Sequence, residues 1–134
     1  MITKVLDSWA LMAFFKGESA AATVEILFQR ASAERIQLLL CVVNLGEIYY
    51  GMMRTGTKEE AEMAMLDLER LPIELVPVDT NLQLVRQAAI YKASGKISHA
   101  DCFAAALARL RKAELVTGDQ EFKALEGQIK ISWL

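Results

Sequence analysis

Apolar residues fall along this chain in two patterns, short unbroken blocks and stripes at helical spacing, and the two alternate from end to end. Thr3 to Leu6 reads as a strand running straight into an apolar helix, Ser8–Phe15, entered through Asp7 as its N-cap. Lys16-Gly17-Glu18 breaks that pattern. Ser19–Ala33 follows as a helix with Val24, Leu27, Phe28 and Ala31 on one side. Gln37–Val43 holds the block Leu38-Leu39-Leu40-Cys41-Val42-Val43, which suits a parallel strand covered on both faces. Asn44-Leu45-Gly46-Glu47 opens a helix in capping-box form, with Asn44 as the cap and Glu47 at the third helical position, and that helix ends near Gly51 to Gly56.

Thr57–Leu71 is a further helix, charged on one side and carrying Met63, Leu66 and Leu71 on another, and Pro72 stops it. Glu74–Val78 is a short strand, and Asp79 caps a helix over Thr80–Ser94 that Gly95 ends. Ser98-His99-Ala100-Asp101 opens the next helix, again as a capping box. It runs to about Lys112, and Ala104, Ala105, Ala106 and Ala108 let it pack close to a sheet. Glu114–Thr117 is a strand, Gly118-Asp119 a turn, Gln120–Leu125 a short helix and Ile129–Trp133 a last strand. About five strands alternating with single helices or helix pairs imply an α/β fold. Its central sheet is mostly parallel, and right-handed crossovers place helices on both faces.

At 134 residues, 54% hydrophobic and 24% charged, the chain suits one globular domain over 1–134. No apolar stretch has the ~20 residues of a transmembrane helix. The start lacks the basic residues and cleavage site of a signal peptide, so a cytoplasmic location without membrane attachment is expected. Cys41 and Cys102 lie in separate apolar segments and read as buried small hydrophobes, not a disulfide or a metal site. His99 is the only histidine, which excludes most zinc sites and most hydrolases built on a histidine base. A formal net charge of −2 gives no general attraction for nucleic acid, so any such binding needs a local basic patch or a bound cation.

Five acids stand at helix entries: Asp7, Glu47, Asp79, Asp101 and Asp119. Each is explained singly as a cap contributing about 1 kcal/mol. In a parallel sheet, however, the carboxyl ends of the strands share one edge, where ligands bind. Carboxylates gathered there repel one another, a cost that protonation or cations offset. Hard oxygen donors without cysteine or histidine suit Mg²⁺ or Mn²⁺, which activate water and steady the leaving oxygen of a phosphodiester.

Four stretches, Val5-Leu6-Asp7-Ser8, Asn44-Leu45-Gly46-Glu47, Ser98 to Ala108 and Leu115 to Phe122, together resemble the PIN-domain family, and most nearly its VapC-type toxins. The resemblance covers nearly the whole chain, in order. It implies a PIN-like three-layer sandwich and selects four of the five acids, Asp7, Glu47, Asp101 and Asp119, leaving Asp79 as a cap. It places the family's supporting hydroxyls on Thr117 and Ser8. What it implies is a Mg²⁺- or Mn²⁺-dependent endoribonuclease cutting RNA with a metal-activated water and leaving a 5′-phosphate and a 3′-hydroxyl. Asp7, Asp101 and Asp119 hold metal directly or through water, and Glu47 binds metal or orients the water. It also implies a cognate antitoxin and a homodimer. The family often carries another acid near the third motif, and none adjoins Asp101.

Lys92, Lys96 and His99 border the Asp101 helix entry and are candidates for RNA contact. Arg109, Arg111 and Lys112 offset the dipole at a helix C-terminus. Trp9, Phe15 and Trp133 are assigned to the core with base stacking as the lesser alternative, and the Tyr49 to Met53 segment with Met63 and Met65 is assigned to the core too, although Met and Tyr also suit interfaces. Two other readings compete. One is a different enzyme on a similar sheet, a phosphatase or a phosphorylated receiver domain; a receiver needs paired acids at the first strand and a lysine after the last, whereas only Asp7 is present and Lys130 falls within the final strand. A catalytically inactive PIN-like module would bind RNA or act as a scaffold.

Overall fold

The unbroken apolar blocks become the sheet. In this computed structural model, which describes residues 1–80 and 82–134, the strands are β1 (Ile2–Leu6), β2 (Ile36–Cys41), β3 (Glu74–Val76), β4 (Glu114–Thr117) and β5 (Ile131–Trp133). All four pairings are parallel, in the order β3-β2-β1-β4-β5, with Val5 beside Leu39 on one side and Leu115 on the other. Side chains alternate between two cores. Leu6, Leu38, Leu40 and Val116 face α1 (Ser8–Phe15), α2 (Ala21–Ser32), α3 (Val42–Thr55) and α4 (Lys58–Arg70). Val5, Leu39, Cys41 and Leu115 face α5 (Leu82–Ser94), α6 (His99–Arg111) and the 3-10 helix Gln120–Leu125. The expected three-layer α/β sandwich is therefore present, and burial of each large apolar side chain contributes about 1.5–3 kcal/mol. Among the described residues no helix is long and apolar enough to cross a membrane.

The order of strands reverses at β1. From there the chain steps outward to β2 and β3, then returns to the other side for β4 and β5. Such a reversal opens a crevice between β1 and β4 at the carboxyl edge.

Several expectations are corrected. Strand β2 stops at Cys41, not Val43, and Val42 is already helical. Its neighbours have run out: β1 ends at Leu6, and β3 ends at Val76 before Pro77, which has no N–H to extend the ladder. For the same reason β3 does not reach Val78. Asn44 is consequently the third residue of α3 and caps nothing, and Glu47 lies in the second turn rather than in a capping box. On α4 the buried stripe is Ala61, Ala64 and Leu68, so Met63 and Leu66 point outward, 56% and 50% exposed. Tyr50, Met53 and Trp133 are likewise exposed rather than core. Asp79 accepts from the adjacent Thr80 N–H at 2.6 Å, and α5 begins at Leu82; position 81 of the helix expected there lies outside the described residues. The Ser98 cap forms as expected, on Asp101 N–H at 3.2 Å, and Thr57, expected inside its helix, instead caps α4 by accepting from Glu60 N–H at 3.1 Å. Both cysteines are free and buried.

Candidate active site

The acids arrive at the β1–β4 crevice on different elements. Asp7 leaves the end of β1 and enters α1 in extended backbone, its Oδ1 accepting from Ala10 N–H at 2.9 Å. Asp119 lies two residues beyond the end of β4, and its Oδ1 accepts from Glu121 N–H at 3.0 Å. Asp101 sits in the first turn of α6, and Glu47 in α3. Thr117 joins two of them. Its hydroxyl, fully buried, donates to Asp7 Oδ2 and accepts from Asp119 N–H at 3.0 Å.

These carboxylates are costly to keep charged. Asp7 is fully buried, and that burial, with the charges of Asp119 and Glu47, pushes its pKa up to about 7 against the opposing bonds from Thr117 and Ala10. Asp101 is pushed up to about 8 by burial and by the charges of Asp7, Glu47 and Asp119. Glu47 Oε1 is buried with no hydrogen-bond partner among the described residues, while Tyr50 donates to Oε2 at 3.5 Å. An uncompensated buried carboxylate oxygen is the position a cation fills. Oxygens of Asp101, Asp119 and Glu121 lie within 4.8 Å of one another, close enough to share one ion. All donors are hard oxygens, so the set fits Mg²⁺ or Mn²⁺.

Two of these residues are not among the expected site residues. Glu121 is an acid two positions after Asp119 and enters through the tight 3-10 turn. Asn44 is fully buried, and its Nδ2 donates to Ser8 Oγ at 3.3 Å and to the Ala100 carbonyl at 3.1 Å. Ser8 donates in turn to the Asn44 carbonyl at 3.2 Å. Asn44 thereby ties together α3, the residue after Asp7 and the residue before Asp101. Its signal in the sequence was a polar residue one helical turn before Glu47.

A cleft of about 550 Å³ opens over the acids, bordered by Glu47, Asp101, Asp119 and Glu121 and by Trp9 and Tyr50. Of the expected RNA contacts none borders it: Lys92 Nζ donates to the Ile97 carbonyl at 3.0 Å, His99 stands edge-on to Phe103 with ring centres 5.2 Å apart, and Lys96 is exposed. Asp79 is exposed and likewise outside the cleft. A second cleft, about 630 Å³, opens by the start of β1 and the C-terminus of α6. The one acid bordering it, Glu114, is already paired with Lys4 at 2.9 Å and Lys130 at 3.3 Å, so it offers no free carboxylate for a metal.

Residues 4–128 match the family model of the PIN domain. No curated protein matches the chain significantly. Among solved structures, VapBC2 from Rickettsia felis bound to a promoter DNA fragment aligns with TM-score 0.70 at 19% identity, over 98% of each chain. VapC20 from Mycobacterium tuberculosis, a toxin that cleaves the sarcin–ricin loop, aligns with TM-score 0.73 at 16% identity, over 95% of this chain and 97% of that one. DNA-bound VapBC from Salmonella typhimurium aligns with TM-score 0.71 at 16% identity, over 98% of each. At these identities the likeness is one of fold.

Proposed function

The chain belongs to the PIN-domain family, and on that premise we propose that it is a Mg²⁺- or Mn²⁺-dependent endoribonuclease, the toxin of a toxin–antitoxin pair. The observation that carries this reading is the convergence of Asp7, Glu47, Asp101 and Asp119 on one crevice, where burial and mutual repulsion hold two of them near neutral pKa. Asp101 and Asp119, with Glu121, would hold the ion, Asp7 stands behind them, and Glu47 lends the unpaired Oε1. Such an ion would supply an activated water and neutralise charge on the leaving oxygen. The chain's own residues set the stage for that. Thr117 fixes the carboxylate of Asp7 and the backbone of Asp119 together, and Ser8 and Asn44 hold α1, α3 and the start of α6 at a constant separation. Glu47 Oε1 is the free acceptor that would hold the ion or receive a proton there.

The partner reading follows the likeness to solved toxin–antitoxin complexes, VapBC among them. Exposed Met63 and Leu66 on α4, and Leu82, Val85 and Ile90 on α5, supply apolar surface for an antitoxin and a second copy of the chain. A cytoplasmic setting suits the two free cysteines. The test is cleavage of labelled single-stranded RNA with Mg²⁺, with Mn²⁺ and with chelator, comparing wild type with Asp7→Asn and Asp101→Asn. Metal-dependent cutting that leaves 5′-phosphate ends, lost in both variants, is the expected result. Wild type that binds RNA but never cuts it would make the protein an inactive binding module.

A further inference from the structure

Beyond the acids, both long walls of the cleft carry an aromatic residue followed by a cation. Helix α3 presents Glu47, then Tyr50, then Arg54; α1, entered from the buried Asp7, presents Trp9 in its first turn and Lys16 at its C-cap. Each wall therefore runs from aromatic to cation as it leaves the sheet edge, and on α3 an acid stands ahead of them. Glu47 and Arg54 are seven residues, two turns, apart, which is about 10 Å along the helix. We propose that this cleft is the seat of a single RNA strand: the scissile phosphate lies at the acids, the adjoining base stacks against Tyr50 and Trp9, and a flanking phosphate meets Arg54 and Lys16. The inference rests on the nuclease reading and adds to it the residues that hold the substrate.

Three details favour a built seat over chance exposure. Arg54 is stacked on the Tyr50 ring, its Cζ 5.1 Å from the ring centre, so its guanidinium is positioned before ligand arrives and loses less freedom on binding. Tyr50 is 44% exposed, yet its hydroxyl reaches Glu47 Oε2 at 3.5 Å, so the aromatic platform is tied to the acid site. Trp9 is seated on Gly118, between Thr117 and Asp119, where an added Cβ would lie 2.2 Å from the indole ring. Only glycine at that position lets the indole stand against the site backbone. A flat ring accepts any base and a guanidinium accepts a phosphate, which together suit an unpaired strand. Glu18 also borders the cleft, so its overall charge does not favour a polyanion. Strand binding must then depend on the divalent ion as well as on Arg54 and Lys16.

The test uses the full chain and a fluorescent single-stranded oligoribonucleotide. Wild type gives KM and kcat in Mg²⁺, and the same protein with Ca²⁺ in place of Mg²⁺, so that the acids stay intact and binding is read ahead of cleavage, gives Kd at several salt concentrations. Arg54→Ala should raise KM and Kd about tenfold, with most of the loss in KM, and lower the slope of log Kd against log salt by about 1. Tyr50→Ala should weaken binding about 5- to 50-fold, Tyr50→Phe should recover most of it, and an oligonucleotide lacking the adjoining base should not distinguish the two. Blunt duplex RNA should bind poorly. If wild type cuts RNA and these variants match it in KM and Kd, the seat lies elsewhere and the nuclease reading stands. If wild type neither binds nor cuts, the nuclease reading itself falls. If the variants lose an antitoxin peptide but keep RNA affinity, the cleft is a peptide site and the proposal is overturned.

Discussion

Replacing Asp7 with asparagine separates its charge from its capping role. Asparagine keeps an oxygen for the Ala10 N–H and turns its amide N–H toward Thr117 Oγ, so the cap survives and the buried contact survives with its donor and acceptor exchanged. What it removes is a charge. The folded-state pKa of Asp7 stands at about 7 against 3.8 in the unfolded chain, and a difference of about 3 units corresponds to about 4 kcal/mol. The sign follows from proton balance. Between those two values the folded protein holds a proton that the unfolded chain has released, so stability falls as pH rises through that window and levels off above it. Wild type therefore carries a slope that the variant lacks. In metal-free protein the stability gap in favour of Asp7→Asn should widen by about 1.4 kcal/mol per pH unit from about pH 4 to pH 7. At roughly 3 °C per kcal/mol for a chain of this length, Tm of the variant should gain about 10 °C on wild type across that range. Loss of Asp7's repulsion on Asp101 acts in the same direction. Calorimetry in chelator from pH 4 to 8.5 measures the gap. A gap that stays flat with pH, or a variant less stable than wild type at pH 8, would return Asp7 to the role of a plain helix cap.

Three further outcomes are expected. Binding of Mg²⁺ or Mn²⁺ at pH 7 should release protons, because Asp7 and Asp101 hold them in the free protein; titration calorimetry in buffers of different ionisation enthalpy reads the number, and zero release contradicts the site. Asn44→Ala strands Ser8 Oγ and the Ala100 carbonyl and should cost about 1–3 kcal/mol in denaturant unfolding, with a parallel loss of metal affinity; unchanged affinity would confine Asn44 to the core. Gly118→Ala should displace Trp9, shifting its fluorescence and slowing cleavage at least tenfold, and an unshifted emission spectrum would show that the two do not touch.

The order and type of elements were legible because the apolar blocks are unbroken and the helix entries carry Ser, Thr or Asp. The α1, β4 and 3-10 helix bounds came out as expected. What escaped depended on neighbours in space. Val42 and Val43 look like strand in isolation and become helix because β1 and β3 offer them no partner. Met63 and Leu66 look like a core face, and the smaller Ala61 and Ala64 displace them because α4 lies close against α3. At the site, acids at helix entries were visible one by one. Glu121 was not, because its place beside Asp101 and Asp119 depends on a 3-10 turn that no periodicity announces.

Capping and metal binding stood as rival explanations of each acid, yet a carboxylate has two oxygens with two lone pairs apiece. Asp119 caps with Oδ1, and that bond aims its carboxylate toward Asp101 and Glu121. Asp7 spends one lone pair of Oδ1 on Ala10 and one of Oδ2 on Thr117, which fixes both oxygens in place. Glu47 caps nothing, and its Oε1 is the oxygen left without a partner. Capping is thus how the fold orients its acids. The helix N-termini that receive the caps also carry partial positive charge, and this lowers the cost of gathering carboxylates there before any ion binds. Losing a cap should then loosen the metal site more than it loosens the fold. Ser98→Ala offers the test, since Ser98 caps the helix that carries Asp101 while lying outside the set of acids. Its expected cost is about 1 kcal/mol of stability, together with a drop in metal affinity that Asp79→Ala, at an exposed acid outside the cleft, does not produce.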